Sequence, residues 1–314
     1  LKPFLHELPD VKTLFENIAA EYQIPPVIVE KDYWIMHCLW GLQRRKYPFE
    51  MKGGTSLSKG FGIIERFSED IDIQIYPPSN SNVMIGKNHD KPTHIESRRK
   101  FFDSMGKNLK ISPFIFERDH NYDDKLKMRN AGIRAAYPSQ FQHEPGLKRE
   151  ILLEFGFDQT TPNIPCDVSS WAYDRASKLK IEIADNRAIQ VLCYCPEYTF
   201  VEKLQAISTK FRLQQENKIL PTNFLRHYYD IYKLLENKRV LNFIGTPAYL
   251  VHKERRFRIN DIKIIKYNPA FILSDPSTKK LYTNEFEKKS FLYFGKQPSF
   301  NEILDRISKY LNKL

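Results

Sequence analysis

The chain has 314 residues, 41% hydrophobic and 13% aromatic, enough to bury a large core in two domains or one elaborated domain and to exclude disorder as the default. Its formal net charge of +11 favours a polyanionic partner such as RNA, DNA or nucleotides, although ordinary solubility charge accounts for the balance equally well. Four cysteines, Cys38, Cys166, Cys193 and Cys195, show no C-x-x-C and no paired histidine spacing, which argues against zinc or a disulfide framework and fits a reduced cytoplasm.

The opening LKPFLHELPDV has no apolar signal core, and no apolar run is long enough to span a bilayer. Position 1 is Leu, which leaves room for an upstream residue or segment. Asp10 reads as the N-cap of a first helix with Val11, Leu14, Phe15 and Ile18 on one face. After the Pro25-Pro26 break a second helix is expected from about Val27 to Arg45. Its last turn is basic, as the helix dipole prefers, and Trp34, Ile35 and Leu39 are most simply core.

From Met51 the pattern is strand, tight turn, helix start: a short apolar approach, then Gly53, Gly54, Thr55, Ser56 and Ser58. Glycines admit close approach of a ligand to the backbone, and free N–H groups at a helix start favour an anion, so a phosphate fits there. Ser68 to Ile75 alternates polar and apolar residues. With a period of two, Asp70 and Asp72 project from one face of a strand and Ile71, Ile73 and Ile75 from the other. Paired carboxylates repel unless a cation lies between them, and Mg²⁺ prefers oxygen ligands. A phosphate cradle followed closely by such a pair suggests metal-assisted phosphoryl or nucleotidyl transfer. Either feature alone is more often a plain turn or a solvated strand edge.

GGTSLSKGFG followed by RFSEDIDI resembles the nucleotidyltransferase toxins of the AbiEii/AbiGii type, a branch of the DNA polymerase β-like superfamily. The resemblance runs from about Val29 to Lys233, and the phrase Glu30-Lys31-Asp32-Tyr33-Trp34 is similar to one that precedes the GG motif in that family. It implies an α/β (α+β) fold: a polymerase β-like core with a mixed sheet, preceded by N-terminal helices and followed by a mainly helical C-terminal domain.

Pro77 to His94 has little periodicity and reads as a long loop, commonly functional or mobile. A basic helix follows with Arg98, Arg99, Lys100, Phe101 and Phe102, and further cations, Lys107, Lys110, Arg118, Lys125, Lys127, Arg129 and Arg134, are interleaved with Tyr122 and Tyr137. Such a patch suits a nucleic-acid backbone and its bases, whereas the bland reading is a solvated helix face plus strand edges. Arg149 to Phe157 reads as a buried strand interrupted by acids. The resemblance implies a third carboxylate there, Glu154, with Glu150 on the same face as the alternative. A basic residue usual two positions before the acid is Leu152 here. Ile181–Ile183 and Ala188–Cys195 read as two strands around an Asp185-Asn186 turn.

Pro196 marks a change to helical periodicity, which divides the chain into residues 1–196 and 197–314. Thr199 to Glu202 fits a capping box with a helix from Phe200. Glu202-Lys203-Leu204-Gln205-Ala206 resembles the family's E-K-x-x-A motif, which implies that Lys203 addresses nucleotide phosphates; without the resemblance a surface lysine is the simpler reading. A further helix from about Asn223 carries Arg226 and Asp230. Four apart, they read as an intrahelical ion pair, and they resemble an R-x-x-x-D motif whose acid helps complete the site. His227 reads as packing or surface. Lys253 to Arg258 is another basic cluster. Ser299 and Glu302 make a capping box for a last helix with Phe300, Ile303, Leu304, Ile307, Tyr310 and Leu311 as its core stripe.

The expected site therefore has Asp70, Asp72 and Glu154 on Mg²⁺ (Mn²⁺ as an alternative). The NTP triphosphate lies against Gly53, Gly54, Thr55, Ser56 and Ser68 with Lys203 and Arg226, and Asp230 orients Lys203 or Arg226 or assists deprotonation of the acceptor. The resemblance further implies the toxin of a type IV toxin–antitoxin or phage-defence pair, acting in the cytoplasm on the 3′ end of tRNA, with a cognate antitoxin. Two other classes stay open: transfer to a small molecule or a protein hydroxyl, and a non-catalytic nucleic-acid-binding module on the same fold.

Overall fold

The computed structural model describes residues 2–158 and 160–314. The chain forms two compact units, one of Leu1–Phe61 with Phe67–Tyr194, the other of Gly62–Arg66 with Cys195–Leu314. No helix among the described residues is long and apolar enough to cross a membrane.

The first unit begins with helices α1 (Val11–Tyr22) and α2 (Pro26–Arg44), then β1 (Phe49–Lys52), a short turn of helix α3 (Gly53–Thr55) continuing to Gly60, and β2 (Asp70–Ile75). It continues through α4 (Pro92–Asn108), β3 (Ile115–Asp119), β4 (Asn130–Ala136), β5 (Ile151–Gly156), β6 (Asn163–Val168), α5 (Trp171–Lys178) and β7 (Ala188–Tyr194). The strands form one mixed seven-stranded sheet in the order β3-β4-β5-β2-β1-β7-β6, with β2 at its centre. Ile71, Ile73 and Ile75 are fully buried, as the alternation of β2 requires.

Fourteen of the nineteen residues of α2 are buried, so it is enclosed rather than amphipathic. Three consecutive charges in it are buried as well, and each fastens a different segment. Glu30 accepts from the Ser139 hydroxyl at 2.5 Å and the Gln140 N–H at 2.8 Å. Lys31 donates to the Lys148 carbonyl at 2.8 Å and pairs with Glu69 at 3.5 Å. Asp32 accepts from Lys59 at 2.5 Å and from the Trp171 N–H at 3.0 Å. Buried charges persist only when paired and hydrogen-bonded, and these are.

Several expectations are corrected. Asp10 precedes α1 but its side chain makes no capping bond. Residues 181–183 form no strand; β7 pairs instead with β6, whose Pro165 weakened its strand signal and suits an edge position. Ser170 caps α5 through the Tyr173 N–H, a helix the periodicity did not reveal. Arg98 is wholly buried, donating to the carbonyls of Met84, His89 and Lys127. Arg129 donates to those of Ile85, Gly86 and Lys87. Arg118 is likewise held by Asp103, Asp123 and the Gly132 carbonyl. Three arginines of the basic patch are thus internal fasteners for the loop after β2 and the turn after β3, whereas Arg99, Lys100, Lys107 and Lys110 are exposed.

The second unit is helical: α6 (Pro196–Asn217), α7 (Arg226–Leu234), α8 (Lys238–Phe243), α9 (Pro247–Arg256), α10 (Pro269–Ile272), α11 (Pro276–Glu287) and α12 (Phe300–Ser308). Helix α6 starts at Pro196, one turn earlier than the Thr199 capping box implied, because proline is pre-shaped for the first helical position; Thr199 lies buried inside it. Helix α7 starts at Arg226, after Asn223 in a left-handed conformation. The Ser299–Glu302 box caps α12 as expected, with Phe300, Ile303 and Ile307 fully buried. Residues 62–66 join this unit through a bridge between Arg66 and Tyr293.

Candidate functional site

In the first unit, strand pairing sets Lys52 beside Asp72, Asp72 beside Glu154, and Glu154 beside Gly132. Paired residues in neighbouring strands point to the same face, so one row runs across four strands with two carboxylates adjacent at its centre. Asp70, two residues before Asp72, shares that face. Asp72 and Glu154 line a cavity of about 460 Å³ together with Lys52, Lys87, Lys127 and Arg129. Lys52 is 3.5 Å from Asp158, and Lys127 and Arg129 pair with Asp90 at 2.6 and 2.9 Å.

The glycine turn is fitted against this row. Gly53 has φ +69°, and a Cβ there would lie 1.9 Å from Asp72 Oδ2, so no other residue admits both the backbone and the carboxylate. Thr55 donates its hydroxyl to the Asp70 carbonyl, tying the turn to β2. The Ser56 hydroxyl is buried and has no hydrogen-bond partner among the described residues. Ser68 is buried just before the strand. The predicted residues Gly53, Gly54, Thr55, Ser56, Asp70, Asp72 and Glu154 thus belong to one neighbourhood. Glu150 lies just ahead of β5 and lines a separate cavity of about 420 Å³ with Tyr137, Phe141, His143 and Lys148.

Sequence reasoning missed Lys148. Its Nζ lies 2.8 Å from Asp70 Oδ1 and sits over the Tyr122 ring, 4.9 Å from the ring centroid. Burial opposes the charge, but the Asp70 carboxylate outweighs it and holds the ammonium above its ordinary range. Its only sequence signal is a basic residue shortly before an acid-bearing strand. Among the described residues, no three His, Cys, Asp or Glu side chains converge into a ready ligand set.

In the second unit, Lys203 and Asp230 meet, with Lys203 Nζ 3.0 Å from Asp230 Oδ2. Asp230 is fully buried and also accepts from Arg66, Nε at 2.6 Å and Nη2 at 2.8 Å. Burial works against the charged carboxylate, yet Arg66 and then Lys203 outweigh it and hold Asp230 well below the usual carboxylate range. The expected Arg226–Asp230 ion pair does not form. Arg66, 164 residues away, supplies the fork, and Arg226 Nε is buried without a hydrogen-bond partner among the described residues. The arginine at the head of RFSEDIDI was the available signal. His227 is fully enclosed, its ring nitrogens unpartnered among the described residues. Burial first, then the cations Lys203, Lys210, Arg226 and Arg66, push its pKa well down, so it packs as a neutral ring. An ammonium carries three donors and Asp230 takes one from Lys203, which leaves the lysine oriented and able to donate further.

The sequence profile of the family described as "Nucleotidyl transferase AbiEii toxin, Type IV TA system" matches residues 38–306. Among solved structures, that of an antigenic nucleotidyltransferase-like protein from Paracoccidioides brasiliensis is similar at 12% identity and a TM-score of 0.34, over 87% of this chain and 97% of that one. No curated protein gives a significant match.

Proposed function

The chain belongs to the AbiEii nucleotidyl transferase toxin family of type IV toxin–antitoxin systems and is a nucleotidyltransferase toxin, and on that premise we propose that it moves a nucleotide from an NTP to an RNA 3′ hydroxyl, that of tRNA, with Mg²⁺. The observation that carries the reading is the Asp72–Glu154 pair, adjacent by strand register, open to a cavity and pressed against a turn where only glycine fits.

The donor set suits a hard cation: carboxylate oxygens only, two of them side by side and a third on the same face. Asp70, Asp72 and Glu154 would hold Mg²⁺. The chemistry such an ion supplies when bound is charge neutralisation on the phosphates and a lowered pKa for the acceptor hydroxyl. The acceptor hydroxyl gives up its proton to solvent, its oxygen bonds to the α-phosphorus, the bond from the α-phosphorus to the oxygen bridging to the β-phosphate breaks, and pyrophosphate leaves with that oxygen. The Gly53-Gly54 turn, Ser68 and the Ser56 hydroxyl, which has no partner among the described residues, supply donors for phosphate, and Thr55 braces the turn against β2 through the Asp70 carbonyl. In the second unit, Lys203, aimed by Asp230, is the phosphate-binding lysine; Arg226 adds positive charge beside it. The toxin is countered by a cognate antitoxin, and the pair serves phage defence in the cytoplasm.

The test incubates purified protein and Mg²⁺ with each labelled NTP and total cellular RNA, then identifies what carries label. Label on a tRNA 3′ end, lost in Asp72→Ala, is the expected result. Label on a small molecule or on protein overturns the RNA acceptor, and unchanged incorporation by Asp72→Ala overturns the site.

A further inference from the structure

We propose that Lys148 is a resident counter-ion of the carboxylate site. It holds the coordination position on Asp70 that a divalent cation must take, so loading the site requires its ammonium to swing away. The inference rests on Asp70, Asp72 and Glu154 being the cation site of the preceding section.

Three carboxylates on one sheet face repel one another, and some positive charge must answer them before any cation arrives. Asp72 and Glu154 open into the larger cavity, whereas Asp70 is buried and its Oδ1 is already taken by Lys148 at 2.8 Å. Among the described residues the acids do not converge into a ready ligand set, and one of them, Asp70, carries the Lys148 ammonium. The surrounding structure fixes where the lysine stem starts, while the tip is held by Asp70 and lies over the Tyr122 ring. The Lys148 N–H donates to Glu69 at 2.7 Å, and its carbonyl accepts at 2.8 Å from Lys31, a lysine with no exposed side-chain surface. The Lys148 side chain itself is 33% exposed. It lines the 420 Å³ cavity beside Tyr137, Phe141 and His143, so there is space for the ammonium once it leaves Asp70. A lysine suits such duty, being a point charge on a flexible four-carbon stem. Because both fastening bonds come from the Lys148 backbone, the side chain can be replaced with the segment kept in place.

The test measures Mn²⁺ binding without nucleotide, by calorimetry and by electron paramagnetic resonance, for the wild type, Lys148→Met, Lys148→Arg and Arg149→Met. Each is repeated with Asp72→Asn. Arg149 lines the same cavity one residue along, so its variant removes equal charge without touching the Asp70 contact. Lys148→Met should bind Mn²⁺ about tenfold more tightly, ~1.4 kcal/mol, with Lys148→Arg and Arg149→Met within about twofold of the wild type. Equal affinity in Lys148→Met, or an equal gain in Arg149→Met, overturns the counter-ion role while leaving the carboxylate site intact. Mn²⁺ binding that is indifferent to Asp72→Asn in every variant overturns the carboxylate site and the counter-ion role together.

Discussion

Replacing Gly53 by alanine separates two costs that usually travel together. The backbone there sits at φ +69°, so any side chain brings left-handed strain of ~1–2 kcal/mol. The added Cβ would also stand 1.9 Å from Asp72 Oδ2, where ordinary contact begins at 3.4 Å, so the carboxylate must retreat by roughly 1.5 Å. Displacing a reacting group by ~1 Å can cost ~100-fold in rate, whereas the strain lowers the melting temperature by only about 2–4 °C per kcal/mol in a protein of this size class. Gly62 provides the control: φ is +61°, but nothing lies within 4 Å of its would-be Cβ. Gly53→Ala and Gly62→Ala should therefore melt within a few degrees of each other, while only Gly53→Ala loses about 100-fold or more in single-turnover nucleotide incorporation. Incorporation by Gly53→Ala within about threefold of the wild type would refute the placement of Asp72 in the reaction.

Asp230→Asn leaves Arg66 and Lys203 buried without their carboxylate and should cost ~3–5 kcal/mol in denaturant unfolding, with incorporation lost as Lys203 is released. The same carboxylate sets an acid limb. Its folded pKa lies below its unfolded value, so its stabilisation is complete above about pH 4 and is lost as pH falls through the folded pKa. The fall in stability below about pH 4 should be shallower in Asp230→Asn, and an identical acid limb in the two proteins would show that another group sets it. On the basic face, Arg99→Ala with Lys100→Ala should weaken RNA binding and reduce its dependence on log salt by about two charges, at little cost in stability. Arg98→Ala should instead lower the melting temperature by removing the clamp on three carbonyls. A salt slope in the Arg99/Lys100 variant equal to that of the wild type would exclude that face from the RNA path.

Much was legible because it is local. The alternation in DIDI, the glycine-hydroxyl turn and the Ser299–Glu302 box are each encoded within a few residues, and the fold places them as strand, turn and cap. The family phrase around Lys203 also pointed to a lysine that meets Asp230. Boundaries failed where a proline outweighed a capping motif, as at Pro196. Partner choice failed where the nearest opposite charge in sequence was not the nearest in space. Arg226, four residues from Asp230, is not its partner; Arg66 is.

By itself, the sequence determined which side chains share a strand face and where the backbone must be glycine, since both follow from period and sterics over short stretches. Only the tertiary structure decided which charges meet: Lys148 with Asp70 across 78 residues, Lys31 with the Lys148 carbonyl across 117, Arg66 with Asp230 across 164. A charge in a one-dimensional string carries no record of its burial, and burial is what turns an optional ion pair into a required one.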